Sequence, residues 1–322
     1  MSRIKIPNTD LDVFPIALGV ATIGVQGSEA DGKALLDRFT ERGGNLIDTA
    51  RVYSDWVPGE MHRSERILGD WLAERKIRDQ VLVVTKGGHP YPLGSSRSRL
   101  SSQELEEDLN GSLKSLRIET IDLYWLHRDD PALPVGPIMD CLHRFQTEGK
   151  IRFYAASNWS PDRIREANAY AKERGYTGFV ASQVEWNLGV FHRLPGSDST
   201  MLGFSSEFLR LHHEVGIAAI PYAAQAGGYF GKRSINPELV KGNPYDTPVN
   251  RKLHACLVSA QTATGLSMNQ MVLAYLLSHR FPVVPLVGCR TQEQLDDSMG
   301  ADGCRLPEFV LAEINGILKL TD

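Results

Sequence analysis

Cysteine is scarce in this sequence: Cys141, Cys256, Cys289 and Cys304 are the only four in 322 residues, widely scattered and without a Cys-x-x-Cys pair. Neither a disulfide framework nor a zinc site is expected from such spacing. The nine histidines include no His-Glu-x-x-His, and the adjacent His212 and His213 would diverge on a helix, so no metal is expected. Apolar runs long enough to span a membrane are also missing. Arg3 and Lys5 precede the apolar stretch Phe14–Val25, but Asp10 and Asp12 stand directly before it, where a secretory leader tolerates charge poorly. A cytoplasmic protein is the expectation. No charge of either sign predominates: 35 basic against 39 acidic residues leave a net charge of -4. That balance gives no reason to expect a nucleic-acid or anionic-membrane partner.

What is present is ordinary in amount and ordered in pattern. Hydrophobic residues make up 42% and charged residues 23%, enough for a sizeable core. A short apolar strand, a loop and an amphipathic helix recur along the chain. The strand candidates are Ile16–Gly19, Asn45–Thr49, Val81–Lys86, Ile121–Leu126, Ile151–Ala156, Phe179–Val184, Ile217–Pro221 and Val283–Val287. Several are almost continuously apolar, as parallel strands covered on both faces must be. Between them, Ser101 and Glu104 form a capping pair ahead of Leu105, Leu109, Leu113 and Leu116, and Ser160-Pro161 opens another helix. A last helix is expected over about Pro307–Leu318.

Eight alternating units predict an α/β fold closed as a (β/α)8 TIM barrel, with residues 1–322 forming one domain. An open doubly wound sheet would call for Gly-x-Gly-x-x-Gly after the first strand, and none is there. Arg3–Pro7 and Leu11–Pro15 flank a turn and predict a hairpin ahead of the barrel. Ser54–Arg63 and about Gln225–Thr247 are expected as long loops on the catalytic face.

Side chains at the C-terminal ends of barrel strands converge on one site. The polar residues there are Asp48, Lys86, His127, Ser157, Asn158, Gln183 and Tyr222, with Tyr53 five residues beyond Asp48. A lysine ending the apolar run Val81–Thr85 needs a counter-charge, and Asp48 is the natural one.

These short motifs, taken in order, resemble the aldo-keto reductase family. Asp48-Thr49-Ala50 with Tyr53, Ser64-Glu65, Leu68-Gly69, Thr85-Lys86, Ile121–Tyr124 with His127, Gly149–Arg152 and Ser157-Asn158 carry the likeness over nearly the whole chain. The resemblance extends to a bacterial-type branch that includes channel β-subunits. It implies carbonyl reduction with NADP(H), through a tetrad of Asp48, Tyr53, Lys86 and His127. Tyr53 would be the general acid, its pKa lowered by Lys86. Ser157, Asn158 and Gln183 would hold the nicotinamide carboxamide, and Tyr222 would stack on the ring. In the family the segment Gly288, Arg290, Gln294 and Asp297 meets the adenosine 2′-phosphate. Thr291 and Gln294 have the spacing of a capping box, so free amides of a helix N-terminus are expected there. Asp297 and Ser298 stand where relatives often have Glu and Asn.

Trp56, His89, Trp159 and Trp186 lie just beyond strand ends and are candidates for the substrate wall, suiting apolar aldehydes or sugar faces. The run Gly227–Arg233 fails as a phosphate loop, having Ala226 where glycine is required and Arg233 in place of Ser or Thr. Lys232 or Arg233 could instead assist at the pyrophosphate. Asp129-Asp130 reads as a turn rather than an acid pair. The expected partner is a small carbonyl substrate. The alternative reading is a non-catalytic NADP(H)-binding sensor or regulatory subunit.

Overall fold

A computed structural model describes residues 2–95, 97–192 and 198–319. The first two strands, β1 (Ile4–Lys5) and β2 (Asp12–Val13), pair antiparallel as the expected hairpin. Eight parallel strands follow: β3 (Ala17–Gly19), β4 (Leu46–Asp48), β5 (Leu82–Gly87), β6 (Ile121–Leu126), β7 (Ile151–Ser157), β8 (Phe179–Gln183), β9 (Ala218–Ala219) and β10 (Leu286–Val287). Their order β10-β3-β4-β5-β6-β7-β8-β9 puts the last strand beside the first. Val283 bridges Ala219 in parallel, so the segment ahead of β10 reaches the far edge and curls the sheet into a barrel. Each sequence-expected strand falls on an observed one. The seventh and eighth are shorter than expected, because Pro221, Pro282 and Pro285 lack the N–H a ladder needs.

Helices cover the outside: α1 (Glu29–Glu41), α2 (Arg63–Arg75), α3 (Ser102–Leu116), α4 (Val135–Thr147), α5 (Pro161–Arg174), α6 (Ser206–Val215), α7 (Tyr229–Ile235), α8 (Pro248–Thr264), α9 (Met268–Leu277), α10 (Gln292–Met299) and α11 (Glu308–Leu318). Six of them, α1, α3, α5, α8, α9 and α10, start at a capping side chain. Ser101 accepts from the Glu104 amide and Ser160 from the Arg163 amide, each satisfying a free helix N–H. One expected loop is not a loop. Residues 226–240 wind into a 3-10 turn, α7 and a second 3-10 turn, because Tyr229, Phe230 and Val240 bury their side chains. Gly228 and Pro237 fall at the boundaries of these turns, whereas Gly227 and Gly231 are taken up inside them.

Two apolar clusters divide the molecule. One fills the barrel interior, with Leu46, Val84, Leu123, Trp125, Ala155 and Ala181 facing inward, and Ile6, Leu11 and Val13 of the hairpin plugging its N-terminal end. The other lies between strands and helices, where the alternate residues Tyr124 and Leu126 point. No helix among the described residues is long and apolar enough to cross a membrane.

Candidate active site

Strand geometry alone selects the residues at the open end. Successive side chains on a strand alternate in direction, so positions two apart share a face. Leu46, Val84, Trp125, Ala155, Ala181 and Ile220 belong to the interior cluster. Two residues beyond them stand Asp48, Lys86, His127, Ser157, Gln183 and Tyr222. The interior therefore changes from apolar to polar in a single layer, with the hairpin closing the opposite end.

Within that layer Lys86 is fully buried and its ammonium donates to the Asp48 carboxylate and, at 2.8 Å, to the Thr49 carbonyl. Gln183 Nε2 donates to the other Asp48 oxygen at 3.2 Å. Burial pushes the Asp48 carboxyl up, opposed by Lys86. Burial pushes Lys86 down, but Asp48 and Tyr53 outweigh it and hold the ammonium above its usual range. The Lys86 ammonium lies 4.6 Å from the centre of the Tyr53 ring. Lys86 does pull the Tyr53 pKa down, as expected from the sequence, yet burial is the larger influence and the phenol ends above its ordinary value. A buried anion loses more water than one neighbouring cation restores.

His127 meets Tyr53 edge to face, with ring centres 5.7 Å apart. Burial, then the positive Arg128, force its pKa well below the usual range, so it is neutral. Its Nδ1 is buried without a hydrogen-bond partner. A buried N–H without an acceptor is rarer than a buried acceptor without a donor, which favours the tautomer with its hydrogen on Nε2. Beside these groups Asn158 adopts a left-handed backbone (φ +57°), which asparagine tolerates. Its Oδ1 accepts from the Tyr222 hydroxyl and the Leu202 amide, both at 3.0 Å, while its Nδ2 donates to Ser157 Oγ at 3.2 Å. Ser157, Asn158, Gln183 and Tyr222 thus form one connected patch next to the Lys86–Asp48 pair.

A groove of about 580 Å³ lies at the barrel rim, its lining including Ala223, the residue after Tyr222. Gly227, Gly228 and Gly288 line it without side chains, alongside Lys232, Arg290 and Gln294. Lys232 donates to the Gly227 carbonyl, whereas Arg233 is turned away onto Asp246. Thr291 caps α10 by accepting from the Gln294 amide, as its spacing suggests. The reciprocal bond differs by one residue: Gln294 Oε1 accepts from Arg290 N. Arg290 is exposed and its guanidinium has no ion-pair partner among the described residues. A long, polyanionic dinucleotide fits this combination of unobstructed glycines and two cations.

Residues 15–319 match the model of the aldo/keto reductase family. The chain belongs to that family. Among curated relatives, it is 31% identical to norsolorinic acid reductase stcV of Emericella nidulans, over 97% of this chain and 80% of that protein. It is 29% identical to the putative aryl-alcohol dehydrogenase AAD14 of Saccharomyces cerevisiae, covering 96% and 84%. A third relative is the NADP(+) aryl-alcohol dehydrogenase of Phanerodontia chrysosporium, at 28% identity, covering 90% and 78%. These fungal relatives do not single out the channel-β-subunit-like branch suggested by the motifs. As a family member the protein is an NAD(P)-dependent oxidoreductase that reduces carbonyl compounds.

Four candidate wall residues of this aldo/keto reductase separate into two pairs. Trp56 stands edge-on to Tyr53 with centres 6.4 Å apart, and His89 lies 4.7 Å from His127. Trp159 and Trp186 are elsewhere. Trp159 is completely buried, its Nε1 donating to the Arg128 carbonyl and its ring packed on Phe179. Trp186 is stacked on Phe204, 3.8 Å away, in the outer cluster beneath α6. Position past a strand end does not reveal whether a side chain turns toward the mouth or the helix layer. Trp159→Ala is expected to cost about 3–5 kcal/mol of stability through the cavity it leaves, read from a denaturant midpoint. Unchanged stability with a raised aldehyde KM would return Trp159 to the substrate wall.

The sequence reading missed Gln225, Asn269 and Arg128. Gln225 links the Gly288 amide to Asn269, and Asn269 in turn donates to Asp297. Arg128 is buried and donates to the His127 carbonyl, Thr200 and Asp198. Only Arg128, as the neighbour of His127, offered any signal along the chain. Asp129 is paired with Arg163 and Asp130 accepts from the Ala132 amide, as the turn reading expects.

Proposed function

We propose that this protein reduces the carbonyl group of aromatic or otherwise apolar aldehydes and ketones, using NADPH, with Tyr53 as proton donor. The convergence of Asp48, Tyr53, Lys86 and His127 at one mouth of the barrel carries this reading. Around that mouth Trp56 is 50%, Met61 40%, Tyr91 39% and Leu93 36% exposed, an unusual number of large apolar groups for a water-facing rim. Tyr91 leans its hydroxyl on Met61, joining the two loops. The names of two relatives, both aryl-alcohol dehydrogenases, agree with an aromatic substrate.

When bound, the nicotinamide supplies the hydride. His127 Nε2–H donates to the carbonyl oxygen and orients it. Tyr53, held protonated at neutral pH by burial, delivers the proton that the oxygen requires. Lys86 stabilises the negative charge left on the phenolate, and Asp48 with Gln183 keeps Lys86 in place. Ser157, Asn158 and Gln183 would hold the carboxamide and Tyr222 the ring face. Gly288, Arg290, Gln294 and Asp297 would hold the adenosine end, with Lys232 near the phosphates. Arg290 is the reason for preferring NADP over NAD. The whole chain would act as one barrel domain.

The test is benzaldehyde reduction followed by NADPH consumption, repeated with NADH and with Arg290→Ala. The parent should turn over with NADPH. The variant should lose about 10- to 100-fold in NADPH affinity, the worth of one charged hydrogen bond, with NADH affinity unaffected. Tight NADPH binding without turnover would point to a sensor, and equal losses for both cofactors would remove the role of Arg290.

A further inference from the structure

His89 stands beside the tetrad, and a neighbour that can only accept determines its chemistry. Its Nδ1 lies 2.7 Å from the Pro90 carbonyl oxygen. A carbonyl has no hydrogen to give, so Nδ1 carries one. Burial lowers the His89 pKa, and the ring is neutral near pH 7. Its Nε2, on the opposite edge of the ring, is therefore a lone-pair acceptor with no partner among the described residues. The ring centre is 4.7 Å from that of His127, at 69° between planes. Two neutral imidazoles of opposite character thus sit side by side: His127 offers a hydrogen at Nε2, and His89 accepts one.

We propose that His89 is a specificity-determining residue that selects carbonyl substrates bearing a hydroxyl one or two carbons from the carbonyl. Such a hydroxyl donates to His89 Nε2 while the carbonyl oxygen accepts from His127. The inference rests on the reductase reading above. An ether at the same place would set its lone pairs against that of Nε2, so the pocket disfavours it as well as failing to bind it. A substrate without either group leaves the acceptor to water and is neutral in this respect.

The experiment is competition against benzaldehyde reduction with NADPH, comparing phenacyl alcohol, an α-hydroxy ketone, with its methyl ether. A ketone competes whether or not it is itself reduced, so an inhibition constant is obtained in either case. The parent is expected to favour the alcohol by about tenfold, the worth of one hydrogen bond. In His89→Phe the two ketones should compete equally, and in His89→Gln, which keeps an acceptor, part of the preference should remain. Taking the ratio within one protein cancels any change in the reference reaction. Equal competition in the parent, or an undiminished preference in His89→Phe, would overturn the role of His89. Absence of benzaldehyde reduction in the parent would instead overturn the reductase reading.

Discussion

Replacing Tyr53 with phenylalanine should slow single-turnover carbonyl reduction by about 10²–10⁴-fold, the usual contribution of a positioned general acid. NADPH affinity should stay unchanged, because the groove that fits the dinucleotide is built from other residues. The substitution removes one oxygen and keeps the ring, so its edge contacts with Trp56 and His127 survive. The reason for a large effect is the absence of a substitute donor. Lys86 is committed to Asp48 and Thr49. His127 is neutral, with its single hydrogen better suited to orienting the oxygen than to protonating it. Stopped-flow measurement of NADPH oxidation gives the rate, and fluorescence titration gives the affinity. A variant that retains the parent rate would move the proton donor away from Tyr53.

The second large effect concerns Lys86 and Asp48. Lys86→Met should cost about 3–5 kcal/mol of stability, because it leaves Asp48 buried without its counter-charge. The fully buried pair makes this a stronger expectation than for any of the surface ion pairs, which contribute little individually. Combining Lys86→Met with Asp48→Asn should recover most of the lost stability, since no unpaired charge remains. Activity should not return with it, because the phenolate left after proton transfer would have no cation beside it. Denaturant midpoints and benzaldehyde turnover on the parent, the single variant and the double variant separate these two consequences. Recovery of both stability and turnover in the double variant would make the pair a structural feature alone.

Eight strands, the hairpin, the helix starts at Ser101, Ser160 and Thr291, and the polar residues that close the strands could be read along the chain. Each depends on local pattern: apolar runs for Ile121–Leu126, a serine cap at Ser101, and polar residues closing apolar strands at Lys86 and His127. Their destination on a common face follows from the period of two along a strand, which any sequence displays openly. The errors lie where a side chain had to choose between two neighbourhoods. Trp56 and Trp159 look alike as residues past strand ends, yet one rims the mouth and the other is sealed beneath α5 and β8. Residues 226–240 were read as loop from their glycines, while burial of Tyr229 and Phe230 winds them into helix.

By itself, then, the order of residues determined the barrel, its polar mouth and the chemical types gathered there, because strand and helix periods are local properties. Tertiary structure alone decided the balance of forces within the mouth. Whether Lys86 or desolvation governs Tyr53 depends on how completely both are shielded from water. Which nitrogen of His89 bears hydrogen depends on where the Pro90 carbonyl lies. The joining of Gln225, Asn269 and Gly288 in one groove depends on three segments distant in sequence meeting at the rim. Burial and hydrogen-bond partners are properties of the closed fold, and no local pattern encodes them.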